Sequence, residues 1–210
     1  MNFSFLDVKY YFLILHFTVC IFFVQAQSEF LSNWPIHQLK KANTALNEEY
    51  LTIEEKHVFF ILNLARINPK LFFETILQSY KVPEGLSDDS LNNNEYINSL
   101  SNMLQKMEPI GLLFPDKVLF QYAQCHAIES GKKGFVGHRR RGCEEPNFYS
   151  ECCSYGFEKA VDIVLQLLVD YRVSDLGHRK IMLDSKQKLL GVSIQPHKKY
   201  SNNAVLDFSY

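Results

Sequence analysis

The order of the periodic segments predicts an α+β fold, with helices covering an antiparallel sheet: apolar positions recur at helical spacing through most of the chain, and two alternating strands close it. The length of 210 residues, a 47% hydrophobic and 21% charged composition, and the absence of repeats and low-complexity tracts fit one globular domain behind a processing segment.

The processing segment comes first. Lys9 precedes an uncharged, mostly apolar run, Tyr11 to Val24, that ends in Val24-Gln25-Ala26, a small-residue cleavage pattern. Residues 1–26 therefore read as a signal peptide cut after Ala26, which directs the chain to the periplasm or the exterior. The run is shorter than the roughly 20 residues a membrane span needs, so no stable span is expected after cleavage. Residues 27–50 carry Trp34-Pro35 and mixed polar positions without clear period, and read as an extended lead-in to a domain over 51–210.

Thr52 with Glu55 forms a capping box, and Val58, Ile61, Leu62 and Ala65 follow at helical spacing, so a helix starts near Ile53. Asn68-Pro69 stops it and opens a short second helix carrying Phe72, Phe73, Ile76 and Leu77. The Asp-, Asn- and Ser-rich stretch from Val82 to Glu95 reads as a solvent loop, and Ile97, Leu100, Leu104 and Met107 mark the next helix. Asp116 caps a helix whose Leu119, Tyr122, Ala123 and His126 share one face, with Gly131 as its terminator. Lys132 to Tyr155, with its turn formers, three cysteines and Arg139-Arg140-Arg141, reads as a disulfide-tied loop region with a solvated basic run. Phe157, Val161, Val164, Leu165 and Leu168 space out a helix reaching about Tyr171, and Gly177-His178 a turn. Leu190, Val192 and Ile194, then Leu206, Phe208 and Tyr210, alternate as two strands joined by a polar loop, Pro196 to Asn203.

A net charge of −1 gives no electrostatic footprint for nucleic acid, and three arginines without interleaved aromatics do not supply one. The glycines at 131, 134 and 137 follow a helix rather than a strand and match no phosphate loop. After cleavage four cysteines remain: Cys125, Cys143, Cys152 and Cys153. In an oxidising compartment an even number implies two disulfides. Adjacent cysteines bridge each other only under strain, so Cys152 and Cys153 are expected each to reach one of Cys125 and Cys143, in either pairing. Unpaired buried thiols are the alternative. No Cys-x2-Cys pair points to a structural zinc site.

Several segments, in order, carry a resemblance: Leu62-Asn63-Leu64-Ala65-Arg66-Ile67-Asn68-Pro69, Ala123-Gln124-Cys125-His126-Ala127, Gly137-His138, Ser150-Glu151-Cys152-Cys153-Ser154-Tyr155-Gly156, Leu176-Gly177-His178-Arg179-Lys180-Ile181-Met182-Leu183 and Leu190-Gly191-Val192. Together they resemble the landmarks of the CAP (or SCP) superfamily of cysteine-rich secretory, antigen 5 and pathogenesis-related proteins, in its compact bacterial form. The resemblance implies a three-layered α-β-α sandwich with a central cleft built from two histidines and two acidic residues. Matched position by position, these are His138, Glu151, Asp170 and His178. Glu151 stands in a Ser-Glu-Cys where the family has Gly-Glu-Asn, and Tyr171-Arg172 lies nearest the place of the family's tryptophan.

Two imidazoles and a carboxylate suit zinc, which binds both ligand classes at about 2.0 to 2.2 Å. His138 and His178, with Glu151, are the expected ligands, and Asp170 the expected hydrogen-bond acceptor behind a histidine or a contact through water. Three functions follow as expectations. The first is an exported cleft that takes a ligand, lipid, protein partner or divalent metal without catalysis. The second is a metal-dependent hydrolase acting on extracytoplasmic peptide or cell-wall material, with Glu151 as general base. The third is a disulfide-stapled structural module with an inert cleft. Gly-x-Ser-x-Gly and His-Glu-x-x-His are both absent. His126, on an apolar helix face, reads as a core histidine, and a cysteine nucleophile at Cys152 or Cys153 as less economical than a disulfide.

Overall fold

The computed structural model describes residues 31–80, 94–145, 147 and 149–210. The expected signal segment and residues 82–93 of the loop expected over 82–95 lie outside them, while Asn94 and Glu95 begin a helix instead. Leu31–Trp34 belong to an N-terminal unit, and the described residues from Pro35 onward to a second, compact one. No helix among the described residues is long and apolar enough to cross a membrane.

The second unit starts earlier than residue 51. Helix α1, Ile36–Ala42, replaces the expected extended lead-in and packs on α2, Ile53–Ile67. Its anchor is polar and therefore carries no hydrophobic period: Asn63 of α2 donates to the carbonyls of Ala42 and Leu113 at 3.1 Å each and accepts from Leu113 N–H at 2.8 Å. The capping box of α2 forms between Thr52 and Glu55, and the second oxygen of Glu55 accepts from Ile194 N–H at 2.9 Å, tying the helix start to the sheet. Asn68 caps α3, Pro69–Phe72, which widens into a π-turn over Phe73–Leu77. Then come α4, Asn94–Lys106, and β1, Phe114–Pro115.

Helix α5, Lys117–Lys133, runs past Gly131 and ends at Gly134, whose φ of 72° gives it the left-handed cap. Gly131 has another purpose: a Cβ there would stand 2.1 Å from Pro196 O. Gly191 is a second close approach, where a Cβ would lie 2.2 Å from the backbone at Leu119 and Phe120. These two glycines let α5 sit directly on the sheet.

Strand β2, Ser150–Tyr155, falls inside the expected loop region. Helix α6, Ala160–Val169, is shorter than its apolar pattern, and Gly177-His178 opens a short helix, α7, Gly177–Met182, instead of a turn. Strands β3, Leu189–His197, and β4, Ser201–Ser209, make the hairpin with a tighter loop than expected. The sheet order is β1-β3-β4-β2. It is mixed rather than purely antiparallel, because β1 pairs in parallel with β3. The α+β class holds.

Helix α5 packs on β3 and β4, and Ala123, Ala127, Cys153 and Val205 meet in one apolar cluster. Alternation turns Cys152 and Ser154 to the other face. There Cys152 Sγ lies 3.9 Å from His178 O, and Ser154 Oγ donates to Gln166 of α6. Two buried arginines lace the remaining segments together. Arg66 donates to the carbonyls of Gly111, Met182, Asp184 and Gln187 at 2.7 to 3.1 Å. Arg179 donates to those of Leu168, Val169 and Tyr96 and to Ser99 Oγ at 2.6 to 3.2 Å.

Candidate functional site

Strand β2 is an edge strand of the sheet, paired only with β4 among the described strands. Its residues Glu151, Cys153 and Tyr155 share the α5 side. The loop after α5 brings His138 and Arg140 to that side, and a disulfide from Cys143 to Cys125 on α5 fastens the loop. Opposite stands the α6–α7 corner. Asp170, at the end of α6, takes a left-handed conformation with φ of 59°, and Arg172 and Leu176 do likewise at 60° and 53°. Three non-glycine residues in this region before α7 are costly. What they achieve is the aim of one carboxylate: Asp170 Oδ1 lies 2.7 Å from His178 Nδ1, and its Oδ2 accepts from Arg179 N–H at 3.1 Å.

The same device serves His138, whose Nδ1 lies 2.8 Å from Glu151 Oε1. The two rings stand 6.3 Å apart between centroids. Both line a cavity of about 590 Å³ shared with Cys153, Tyr155, Phe157 and Tyr200. With each Nδ1 held by a carboxylate, each Nε2 is the nitrogen left for a ligand. All four expected cleft residues are thus brought together, as two histidine–carboxylate pairs.

Beneath His138 lies a network that sequence reasoning missed. The Arg140 side chain is fully buried, while Arg139 and Arg141 beside it are exposed as expected. It donates to Glu151 Oε2 at 2.5 Å, to both oxygens of Asp207 at 2.7 Å and to Tyr122 O at 2.7 Å. Burial pushes the Glu151 carboxyl upward, but the His138 hydrogen bond and the Arg140 charge outweigh it and hold the group below its usual range. The hydrogen bond to Glu151 raises His138 against the opposing effect of burial. Burial lifts Asp207 to about 7, with Glu151 adding to the rise and Arg140 resisting it.

These shifts give the stability a definite pH dependence. Asp207 binds its proton more tightly folded than unfolded, so stability falls as pH rises from its ordinary 3.8 to about 7. His138, also raised, stabilises below its unfolded value and loses that contribution as pH rises through its folded one. Glu151 acts oppositely, stabilising above its unfolded value and losing that as pH falls through its lowered one. Thermal melts between about pH 5 and pH 8 are expected to show Tm falling with pH, and Asp207→Asn to flatten the fall. A slope of equal size in wild type and variant would rule Asp207 out as its source.

The cysteines differ from the expected pairing. Cys125 joins Cys143, while Cys152 and Cys153 are free and buried. The reason is the strand: its alternation sends Cys152 and Cys153 to opposite faces, and only Cys153 faces α5, inside the apolar cluster. Burial drives both thiols well above their ordinary values, so neither is an activated nucleophile. His126 is fully buried, with Nε2 donating to Gly137 O at 3.0 Å and Nδ1 without a partner.

No protein-family model matches the chain, and no curated protein matches its sequence.

Proposed function

We propose that this chain is an extracytoplasmic binding protein whose cleft holds a divalent metal or a small ligand between two carboxylate-backed histidines. Its signal-like N-terminus, the ordered motifs and the helices on both faces of a small sheet support a reading as an exported CAP-domain protein with a three-layered α-β-α arrangement.

The observation that carries the proposal is the paired hydrogen bonding, His138 to Glu151 and His178 to Asp170. A carboxylate on Nδ1 fixes ring orientation and tautomer and strengthens Nε2 as a donor, the usual support for a metal-binding histidine. Glu151 is spent in this arrangement. A carboxylate held low by the His138 hydrogen bond and then by the Arg140 charge is a poor general base, which favours binding over hydrolysis. The aromatic wall of Tyr155, Phe157 and Tyr200 gives a ligand apolar surface beside the histidines.

Isothermal titration of zinc into the purified protein is expected to show micromolar or tighter binding that disappears when His138 and His178 are both changed to alanine. No heat of binding with folded wild-type protein would overturn the metal reading.

A further inference from the structure

The cleft's histidine pair uses Nε2 of His138. Its other nitrogen, Nδ1, looks onto a set of donors that includes Glu151. His138 Nδ1, Glu151 Oε1 and Cys153 Sγ are separated by 2.8, 3.5 and 3.8 Å. His126 Nε2 lies 3.9 Å from the same Glu151 oxygen, and His126, Glu151 and Cys153 place one donor atom each within 4.8 Å of one another. A tetrahedral zinc ion, with Zn–S about 2.3 Å and Zn–N and Zn–O about 2.0 to 2.2 Å, sets its ligands roughly 3.3 to 3.6 Å apart. The separations of 2.8 to 3.9 Å need adjustments of about half an ångström, the His126, Glu151 and Cys153 group closes from a spread of up to 4.8 Å, and His138 joins it by turning toward His126. We infer that His126, His138, Glu151 and Cys153 form a second, thiolate-containing metal site beneath the cleft, suited to zinc or a softer divalent ion.

Charge balance accommodates such an ion. Glu151 Oε1 accepts from both the Cys153 thiol and His138 Nδ1. One divalent cation replaces those two protons, which pass to solvent when His138 starts as the imidazolium. Arg140 is positive, and Asp207, Glu151 and the Cys153 thiolate are negative, so the bound ion brings the buried group to neutrality. A thiolate also selects for zinc and softer ions over magnesium or calcium. His126 gives up its bond to Gly137 O to take part. Gly137 keeps its N–H bond to Tyr155 Oη at 2.9 Å while its carbonyl turns away. Access is present as well, because Cys153 and His138 both line the cavity.

The inference shares His138 and Glu151 with the proposed cleft but not His178. A neutral imidazole offers one lone pair, so the two positions are alternatives on the same ring. His178→Ala therefore separates them. Cobalt(II) added to the purified full chain is expected to give a sulfur-to-cobalt charge-transfer band in the near ultraviolet, in wild type, in His178→Ala and in Cys152→Ser. Cys153→Ser is expected to lose the band and to weaken zinc binding at least about 100-fold when measured in the His178→Ala background. X-ray absorption on zinc-loaded wild-type protein needs no variant at Cys153, and should show a single sulfur neighbour at about 2.3 Å. A zinc shell without sulfur, or a charge-transfer band that survives in folded Cys153→Ser, would overturn the site. Loss of zinc binding in His178→Ala with no band would leave the cleft reading intact and remove this one.

Discussion

Arg140→Leu is expected to cost about 3–5 kcal/mol of folding free energy at pH 8, the usual penalty for removing one partner of a buried ion pair. The guanidinium holds two carboxylates at once, Glu151 and Asp207, and its side chain has no solvent exposure. Without it, two buried anions face each other and the Tyr122 carbonyl loses its donor. The cost should shrink at pH 5, where Asp207, with its value near 7, is protonated and one anion is gone. Adding Asp207→Asn to the variant removes one buried anion at any pH and should recover part of the loss. Urea unfolding at the two pH values measures all three quantities. A loss below about 1 kcal/mol at pH 8 would mean that the network is wetter than its burial indicates.

Gly191→Ala should be nearly as damaging, by an unrelated route. The new methyl would stand 2.2 Å from Leu119 C and Phe120 N and 2.6 Å from Leu119 O, all backbone atoms that cannot rotate away. Helix α5 must lift off β3, at a cost of roughly 3 kcal/mol, the upper end of ordinary overpacking. The damage should reach the cleft, because α5 carries Cys125 and the Tyr122 carbonyl that holds Arg140. Gly156→Ala is the comparison. It meets no atom within 4 Å and is strained only by its φ of 92°, which costs about 1–2 kcal/mol. Equal midpoints for the two variants in denaturant would show that α5 can shift freely over the sheet.

Local chemistry was legible in the sequence. The Thr52–Glu55 box, the Asn68-Pro69 junction and the terminal hairpin rest on neighbouring residues, and they form where expected. What escaped depends on distant partners. Strand β2 is buried on both faces over Glu151–Ser154, so it lacks the alternation that identifies a half-buried strand. Helix α1 looked too polar because its docking runs through Asn63 and backbone carbonyls. The histidines and carboxylates of the cleft were nameable by resemblance. Arg140 was not, since its partner Asp207 lies 67 residues away and sits between Leu206 and Phe208, in the register of a solvent-facing position. Only the packing of α5 over that face closes it from water. A charged residue alternating with apolar ones in the last strand of a helix-covered sheet is the sequence signal of such a buried partner.

The opposed directions of Cys152 and Cys153 bear on how the chain must mature. If the chain folds in an oxidising compartment, as proposed, all four thiols of the domain compete for disulfide exchange until structure separates them. The native bond ties α5 to its following loop, a local closure of 18 residues, and draws on nothing from the sheet. The remaining two thiols are protected only by β2 docking onto β4, which is a long-range event. Sheet assembly therefore acts as a chaperone for these sulfurs. Slow pairing of β2 would leave the chain open to capture in a mispaired, covalently trapped form, and a mutation at the β2–β4 seam would first appear as lost yield rather than as lost binding.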